Sequence, residues 1–318
     1  MESEKWKVES EANKQNHIYV SRGGVFGTKS IVSPVIDFQF STFNFQLVLL
    51  ITLLISLLFL TSCGSSSNGD SEAFVIAGST SVQPYVEVLV EEYTARYPNN
   101  IIDVQGGGSS AGIQAVESHT AQIGMSSRNL RDNELYLWNE RIAKDGLAII
   151  INPDNPVTDL SLEQIRGIYT ADINNWNQVG GNDARIHIIT REEGSGTRSA
   201  FEELVMDNQR ITPRAIVQDS NGAVRQLVAG DPNSIGFISL GLVDIGERPV
   251  KALRIEGIAA TRNNVLNGDY ALYRSFIFVA LEKPEGNVLR FIEFIRSPEG
   301  QAIMAERGLI PEFGVHDD

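Results

Sequence analysis

The chain has 318 residues, 42% of them apolar, with 26 basic against 40 acidic residues and a net charge of −14. That balance excludes the basic footprint that nucleic acid requires, and a single cysteine, Cys63, excludes an intrachain disulfide or a cysteine-based zinc site. The four histidines (His17, His119, His187, His316) lack metal-ligand spacing, so no metal or cofactor is expected, and any anion held by so acidic a chain must rely on local donors in a shielded cleft.

Residues 47–60, LVLLITLLISLLFL, are nearly all apolar. Fourteen residues are short for a membrane-spanning helix and suit the apolar core of a signal segment. They run into Leu60-Thr61-Ser62-Cys63-Gly64, which resembles a bacterial lipobox: an aliphatic residue, two small residues, then the cysteine that is lipidated after cleavage. Residues 1–62 are therefore expected to be a leader, Cys63 the lipidation site, and residues 63–72 a flexible Gly/Ser tether. A signal segment is usually preceded by a short basic stretch, whereas here 46 residues come first. Translation is accordingly expected to begin later, at a non-Met codon.

From residue 73 the pattern repeats strand, Gly/Ser turn, helix. Residues 73–77 read as a strand, Gly78-Ser79-Thr80-Ser81 as its turn, and Val82, Val86, Leu89, Tyr93 and Tyr97 as one helical face stopped by Pro98. Residues 101–105 form the next strand, Gly106-Gly107-Gly108-Ser109-Ser110 the turn, and Ile113 and Val116 the helix. A brief strand at 122–125 ends in Ser126-Ser127-Arg128, a helix is expected over 132–143, and residues 147–151 are a strongly apolar strand. Asn152-Pro153-Asp154-Asn155-Pro156 reads as a stiff crossing between domains. Ser161 and Gln164 form a capping box. Residues 186–189 form a strand that feeds Arg191-Glu192-Glu193-Gly194-Ser195-Gly196-Thr197, with a helix starting near Ser195. Asn221-Gly222 opens another helix, and residues 234–240, 250–255 and 270–281 are strands, the last expected to be central. A helix over 287–295 and a final one opened by Ser297-Pro298 and closed by Gly308 complete the chain.

This alternation implies an α/β chain with parallel sheets. Three turns carry Gly with Ser or Thr, and helix starts expose unpaired N–H groups and partial positive charge. Arg191 adds a fork of donors suited to an oxyanion. Open α/β sheets bind ligands at the carboxyl ends of their strands, so a small tetrahedral anion is expected in a cleft between two lobes.

These turns, with Ile123-Gly124-Met125-Ser126-Ser127, Ser220-Asn221-Gly222-Ala223 and Ser234-Ile235-Gly236-Phe237, resemble in order and spacing the phosphate-binding proteins of bacterial phosphate ABC importers. The resemblance implies a two-lobed periplasmic-binding (type 2) fold, with residues 73–150 and 257–318 as lobe I, 151–256 as lobe II, and hinges near Ile151 and Glu256. It implies no catalysis, high-affinity capture of inorganic phosphate, and delivery to ABC permease subunits by a monomer held to the cell membrane through lipid on Cys63, facing the periplasm or exterior. Residue by residue, it assigns phosphate contacts to Thr80, Ser81, Ser109, Ser127, Arg191, Glu193, Ser195, Gly196 and Thr197. Glu193 matches a carboxylate, commonly Asp, that accepts a proton from the anion, so Glu193→Gln is expected to admit sulfate. Ser127 departs from the family, which carries an acid there. Arg128 either reaches the anion or pairs with an acid.

Two alternatives accompany this reading. One is a binding protein for sulfate or molybdate. The other is a serine hydrolase in which Gly108-Ser109-Ser110-Ala111-Gly112 is a nucleophile elbow with Ser110 as nucleophile.

Overall fold

In a computed structural model of the chain, residues 73–246 and 248–313 are described. They fall within one unit of the chain, Ser67–Asp318. The apolar segment, Cys63 and the tether lie outside the described residues.

The first strand–turn–helix units form where the patterns place them. β1 (Ala73–Gly78) leads to α1 (Gln83–Arg96), which buries Tyr85, Val86, Leu89 and Tyr93. Pro84 sits in the first turn of that helix, where a missing N–H breaks no intrahelical bond. β2 (Ile101–Gly106), α2 (Ser109–Glu117) and β3 (Ile123–Ser126) follow, and β1 pairs in parallel with both β2 and β3. Gly78 closes β1 at φ 139°, and a Cβ there would strike the backbone of Met125 and Gly112. Only glycine lets the first turn lie this close to β3.

The expected helix over 132–143 does not form. Asp132–Glu134 make one 3₁₀ turn, and β4 (Trp138–Ile151) then runs extended for 14 residues. Its first part, Trp138–Gly146, pairs with β11 (Tyr273–Ala280), and Leu147–Ile151 pairs with β8 (Ser234–Ser239). Ladder pairing on both parts overrides the local helix preference of Leu, Glu and Ala. Leu147 through Ile151 have no measurable exposure, and their side chains alternate between two apolar clusters on opposite faces. A strand covered on both faces reads as an unbroken apolar run.

The other half of the sheet is built the same way. β5 (Asp159–Leu160) precedes α3 (Leu162–Thr170), which is opened by the Ser161–Gln164 capping box. β6 (His187–Arg191) leads to α4 (Gly196–Phe201), which continues as a π turn, Glu202–Met206. β7 (Ile216–Gln218), α5 (Asn221–Gly230) and β8 come next, with β6 parallel to both β7 and β8. Short β9 (Lys251–Ala252) and β10 (Arg254–Ile255), α6 (Arg262–Leu266), β11, α7 (Gly286–Arg296), α8 (Pro298–Glu306) and β12 (Ile310–Pro311) complete the described residues.

The strand order β2-β1-β3-β11-β4-β8-β6-β7 is mixed rather than parallel. β11 is central, as expected, but runs antiparallel to both β3 and β4, and β4 runs antiparallel to β8. The chain returns through the middle of the sheet after both halves are built, which places residues of β11 beneath turns made nearly 200 positions earlier.

In the second cluster Phe237 stacks on Phe201 at 4.2 Å and meets Tyr169 at 5.7 Å, with no exposure. Phe237→Ala should destabilise the fold by about 3–5 kcal/mol. Urea denaturation measures this, and a loss below about 1 kcal/mol would contradict this packing.

Candidate anion-binding site

Four helix starts meet at one place. Gly108, the N-cap of α2, has φ 88° and no side-chain cap, and Val82, which precedes α1, also lacks one. Ser195 caps α4 by accepting from the Arg198 N–H at 3.2 Å, and Ser220 caps α5 by accepting from the Ala223 N–H at 3.1 Å. The convergence is visible in the contacts. Ser81 Oγ lies 2.7 Å from Thr197 Oγ1, and Asn221 Nδ2 donates to Ser81 Oγ at 2.9 Å and Thr80 Oγ1 at 3.3 Å. Ser79 Oγ donates to Ser127 Oγ at 2.8 Å, and the Ser127 N–H donates to Ser109 Oγ at 3.0 Å. The Ser110 N–H donates to the Gly194 carbonyl at 3.1 Å, tying the second turn to the third. A Cβ on Gly196 would collide with the hydroxyls of Ser109 and Ser127, so that position must be glycine for α2 and α4 to begin side by side.

Two buried arginines border this cluster. Arg191, 1% exposed, gives Nε and Nη2 to the Glu192 carboxylate at 3.0 and 2.9 Å and to the carbonyls of Gln218 and Asp219 at 3.2 and 3.0 Å. Its Nη1 is buried and has no partner among the described residues. Arg274 gives Nε and Nη2 to Asp145 Oδ2 at 3.2 and 3.0 Å, and Nη2 also reaches Ser81 Oγ at 3.0 Å. Its Nη1 is likewise buried and without a partner among the described residues. Each such donor costs about 1–3 kcal/mol or more when nothing accepts from it. Burial pushes the Asp145 carboxyl up and the Arg274 guanidinium down, each against the pull of its partner. The charge of Arg191 adds to the downward push on Arg274, which places the two cations within electrostatic reach of one another.

The structure brings together most of the residues singled out from sequence. Ser81, Ser109, Ser127, Arg191, Ser195, Gly196 and Thr197 are all buried at the cluster, and Thr80 is half-buried at its rim. Glu193 is the exception. It is exposed and lines a separate surface depression of about 1020 Å³ with Thr190, Arg198, Glu202 and Arg210. A tight turn closed by the Ser195 N–H on the Glu192 carbonyl, at 3.1 Å, explains this. It folds the Glu192 carboxylate back onto Arg191 and turns Glu193 outward. Arg191 is also less of an open fork than its motif implies, since the edge carrying Nε and Nη2 is already engaged.

Arg128 pairs with an acid, but in the interior: its Nη1 and Nη2 reach Glu134 at 2.7 and 2.8 Å, and both side chains are below 10% exposed. Ser110 Oγ accepts from Arg128 Nη2 at 3.4 Å, while His187 bonds Asp231 and His119 lines a pocket with Gln122 and Leu281. This is not the Ser–His pairing that an elbow nucleophile requires.

Ser79 and Asn221 lie in motifs quoted from the sequence but were not assigned to the site, and Asp145 and Arg274 escaped the sequence reading. The available signal was charge inside apolar runs. Arg274 interrupts the strand Tyr273-Arg274-Ser275-Phe276, and Asp145 stands just before Gly146 and the apolar run of β4. A charge in a doubly covered strand must be paired or engaged by a ligand.

Burial acts to raise the Glu134 carboxyl, but hydrogen bonds from Arg128 and from the Arg131 N–H outweigh it and hold it below the usual range. A carboxyl lowered by folding stabilises fully above its unfolded pKa and loses that share as pH falls through its folded value. The stability difference between the parent and Glu134→Gln, measured by urea denaturation, should therefore shrink from about pH 6 to about pH 3. A difference that stays constant would contradict the pairing.

Comparison with known proteins places the chain in a family. Residues 64–299 match the model of a PBP superfamily domain. The phosphate-binding protein PstS of Borreliella burgdorferi is 30% identical over 275 residues, covering 83% of this chain and 98% of the relative. The PstS of Bacillus subtilis is 28% identical over 284 residues, covering 84% and 94%. Among solved structures, a phosphate ABC transporter substrate-binding protein of Clostridium perfringens, solved with bound phosphate, is 40% identical with a TM-score of 0.72, covering 76% of this chain and 99% of that one. An ABC-type phosphate transport receptor from Vibrio cholerae is 38% identical with a TM-score of 0.62, covering 74% and 99%.

Proposed function

The chain belongs to the PBP superfamily and, within it, to the phosphate-binding proteins, and on that basis we propose that it captures inorganic phosphate with high affinity outside the cytoplasmic membrane and hands it to an ABC-importer permease. The observation that carries this reading is Arg191 Nη1, buried without a partner among the described residues at the end of β6, the strand that leads into the Ser195-Gly196-Thr197 turn. Anion binding supplies the missing acceptor. Ser81, Ser109, Ser127, Arg191, Ser195, Gly196 and Thr197 are the proposed contacts, with Thr80 at the rim. Glu193 is left out because it stands in solvent, and the acceptor role passes to the hydroxyls, which can both donate and accept.

The proposed lobes are residues 73–150 with 257–318, and residues 151–256. Consecutive left-handed residues, Glu256 at φ 53° and Gly257 at φ 83°, support a hinge at the second crossing. The first crossing, proposed near Ile151, is supported by β4 serving both halves of the sheet: its pairing passes from β11 at Gly146 to β8 at Leu147. We further propose that the protein is a monomeric, non-catalytic lipoprotein anchored through Cys63 and facing the periplasm or cell exterior. None of the described helices is long and apolar enough to cross a membrane. Cys63→Ser should move the protein from the membrane fraction to the soluble fraction; membrane retention of the variant would refute the anchor.

A second reading, capture of sulfate, is favoured by one observation. The carboxylates that reach the two cluster arginines, Glu192 and Asp145, are each paired with one of them, and Ser127 replaces the family's acid. Calorimetry with phosphate and with sulfate separates the two. Phosphate binding that excludes sulfate supports the first, comparable binding of both supports the second, and binding of neither ends both. Thr197→Val should weaken phosphate binding roughly tenfold, and Glu193→Gln should leave affinity and selectivity unchanged. A change of tenfold or more in Glu193→Gln would return that carboxylate to the site.

A further inference from the structure

We propose that Arg274 is a second guanidinium ligand of the same anion, donating from Nη1, and that Asp145 positions it; this rests on the oxyanion reading above. The position of Arg274 is fixed by strand register. It stands on β11 directly opposite Asp145 of β4. Asp145 Oδ2 takes Nε and Nη2, and Asp145 Oδ1 accepts from the Ser239 hydroxyl at 2.8 Å. The pair is almost sealed, with side-chain exposures of 4% and 1%. A structural ion pair has no need of a free outer nitrogen; the buried Arg128–Glu134 pair leaves only the inner Nε of its arginine without a partner among the described residues. In Arg274 the outer nitrogen, with both its hydrogens, is shut off from water and has no acceptor among the described residues.

The hydroxyls beside Arg274 are wired toward the same place. The Ser239 N–H donates to Asn221 Oδ1 at 3.2 Å, so the Asn221 amide is oriented with Nδ2 toward Ser81. Ser81 Oγ then receives one hydrogen from Asn221 and another from Arg274 Nη2. A hydroxyl oxygen accepts at two lone pairs, so the Ser81 hydrogen must go to Thr197 Oγ1, 2.7 Å away. Thr197 in turn is left with its own hydrogen to donate. Arg274 therefore acts twice: directly through Nη1, and through Ser81 by making Thr197 a donor. Arg191 is the other cation at the cluster with a partnerless Nη1. Two buried like charges in reach of one another are stabilised together by an anion that both contact.

The test is calorimetry with inorganic phosphate on the full chain, comparing the parent, Arg274→Met, Arg274→Lys, and Arg274→Met combined with Asp145→Asn. The combined variant removes both charges, so no lone carboxylate is left buried. It should melt cooperatively and bind phosphate roughly 10- to 100-fold more weakly than the parent. Arg274→Lys should recover part of that loss. Adding Thr197→Val to the combined variant should cost less than in the parent, because the relay through Ser81 is already broken. A folded combined variant that binds phosphate as the parent does would overturn the proposal and leave the phosphate reading standing. A parent that binds no phosphate would overturn both.

Discussion

The arrangement depends on burying two arginines that the chain does not fully satisfy. Arg191 and Arg274 are each neutralised by a neighbouring carboxylate and each keep one nitrogen without an acceptor among the described residues. Interior packing normally removes such donors or pairs them. Their persistence here requires the surroundings to hold them in place: β6 and the Gln218–Asp219 carbonyls around Arg191, and the β11–β4 ladder around Arg274. The helix starts then close over them. Glycine at 196 is part of the same constraint, because a side chain there would separate the α2 and α4 turns.

The topology follows from this requirement. A chain that only stacked strand–turn–helix units would yield a parallel sheet with its turns at one edge. Instead the late strand β11 enters antiparallel between β3 and β4, so Arg274 reaches Ser81 across 193 positions of sequence. β4 serves both halves of the sheet through one continuous strand. Its double coverage explains the unbroken apolar run at 147–151.

Much of this was legible in the sequence because it is local. Gly/Ser turns between an apolar strand and an apolar-periodic helix are written in adjacent residues, and the turns that carry Ser81, Ser109, Gly196 and Thr197 are read that way, whereas the assignment of these residues and of Ser127 to an anion comes from the family resemblance. The Ser161 capping box and the Ser297-Pro298 start are local in the same sense. What was missed is tertiary. Residues 132–143 carry helical composition, yet the ladder with β11 pulls 138–143 into a strand. Arg274 and Asp145 have meaning only as a cross-strand pair, and nothing near either residue names the other. The Glu192–Glu193 exchange turns on a single peptide's orientation in a tight turn, which adjacent identical residues cannot reveal. The consequence for chemistry is that the proposed site offers guanidinium nitrogens and hydroxyls, with Glu192 and Asp145 engaged by the arginines.

The most direct measurement is a crystal structure of the protein with inorganic phosphate. The account predicts a phosphate within hydrogen-bond distance of Arg191 Nη1, Arg274 Nη1 and the Thr197 hydroxyl, with Glu193 in solvent. A phosphate bound away from this cluster, or one that contacts Glu193 and leaves both Nη1 atoms without an acceptor, would contradict it.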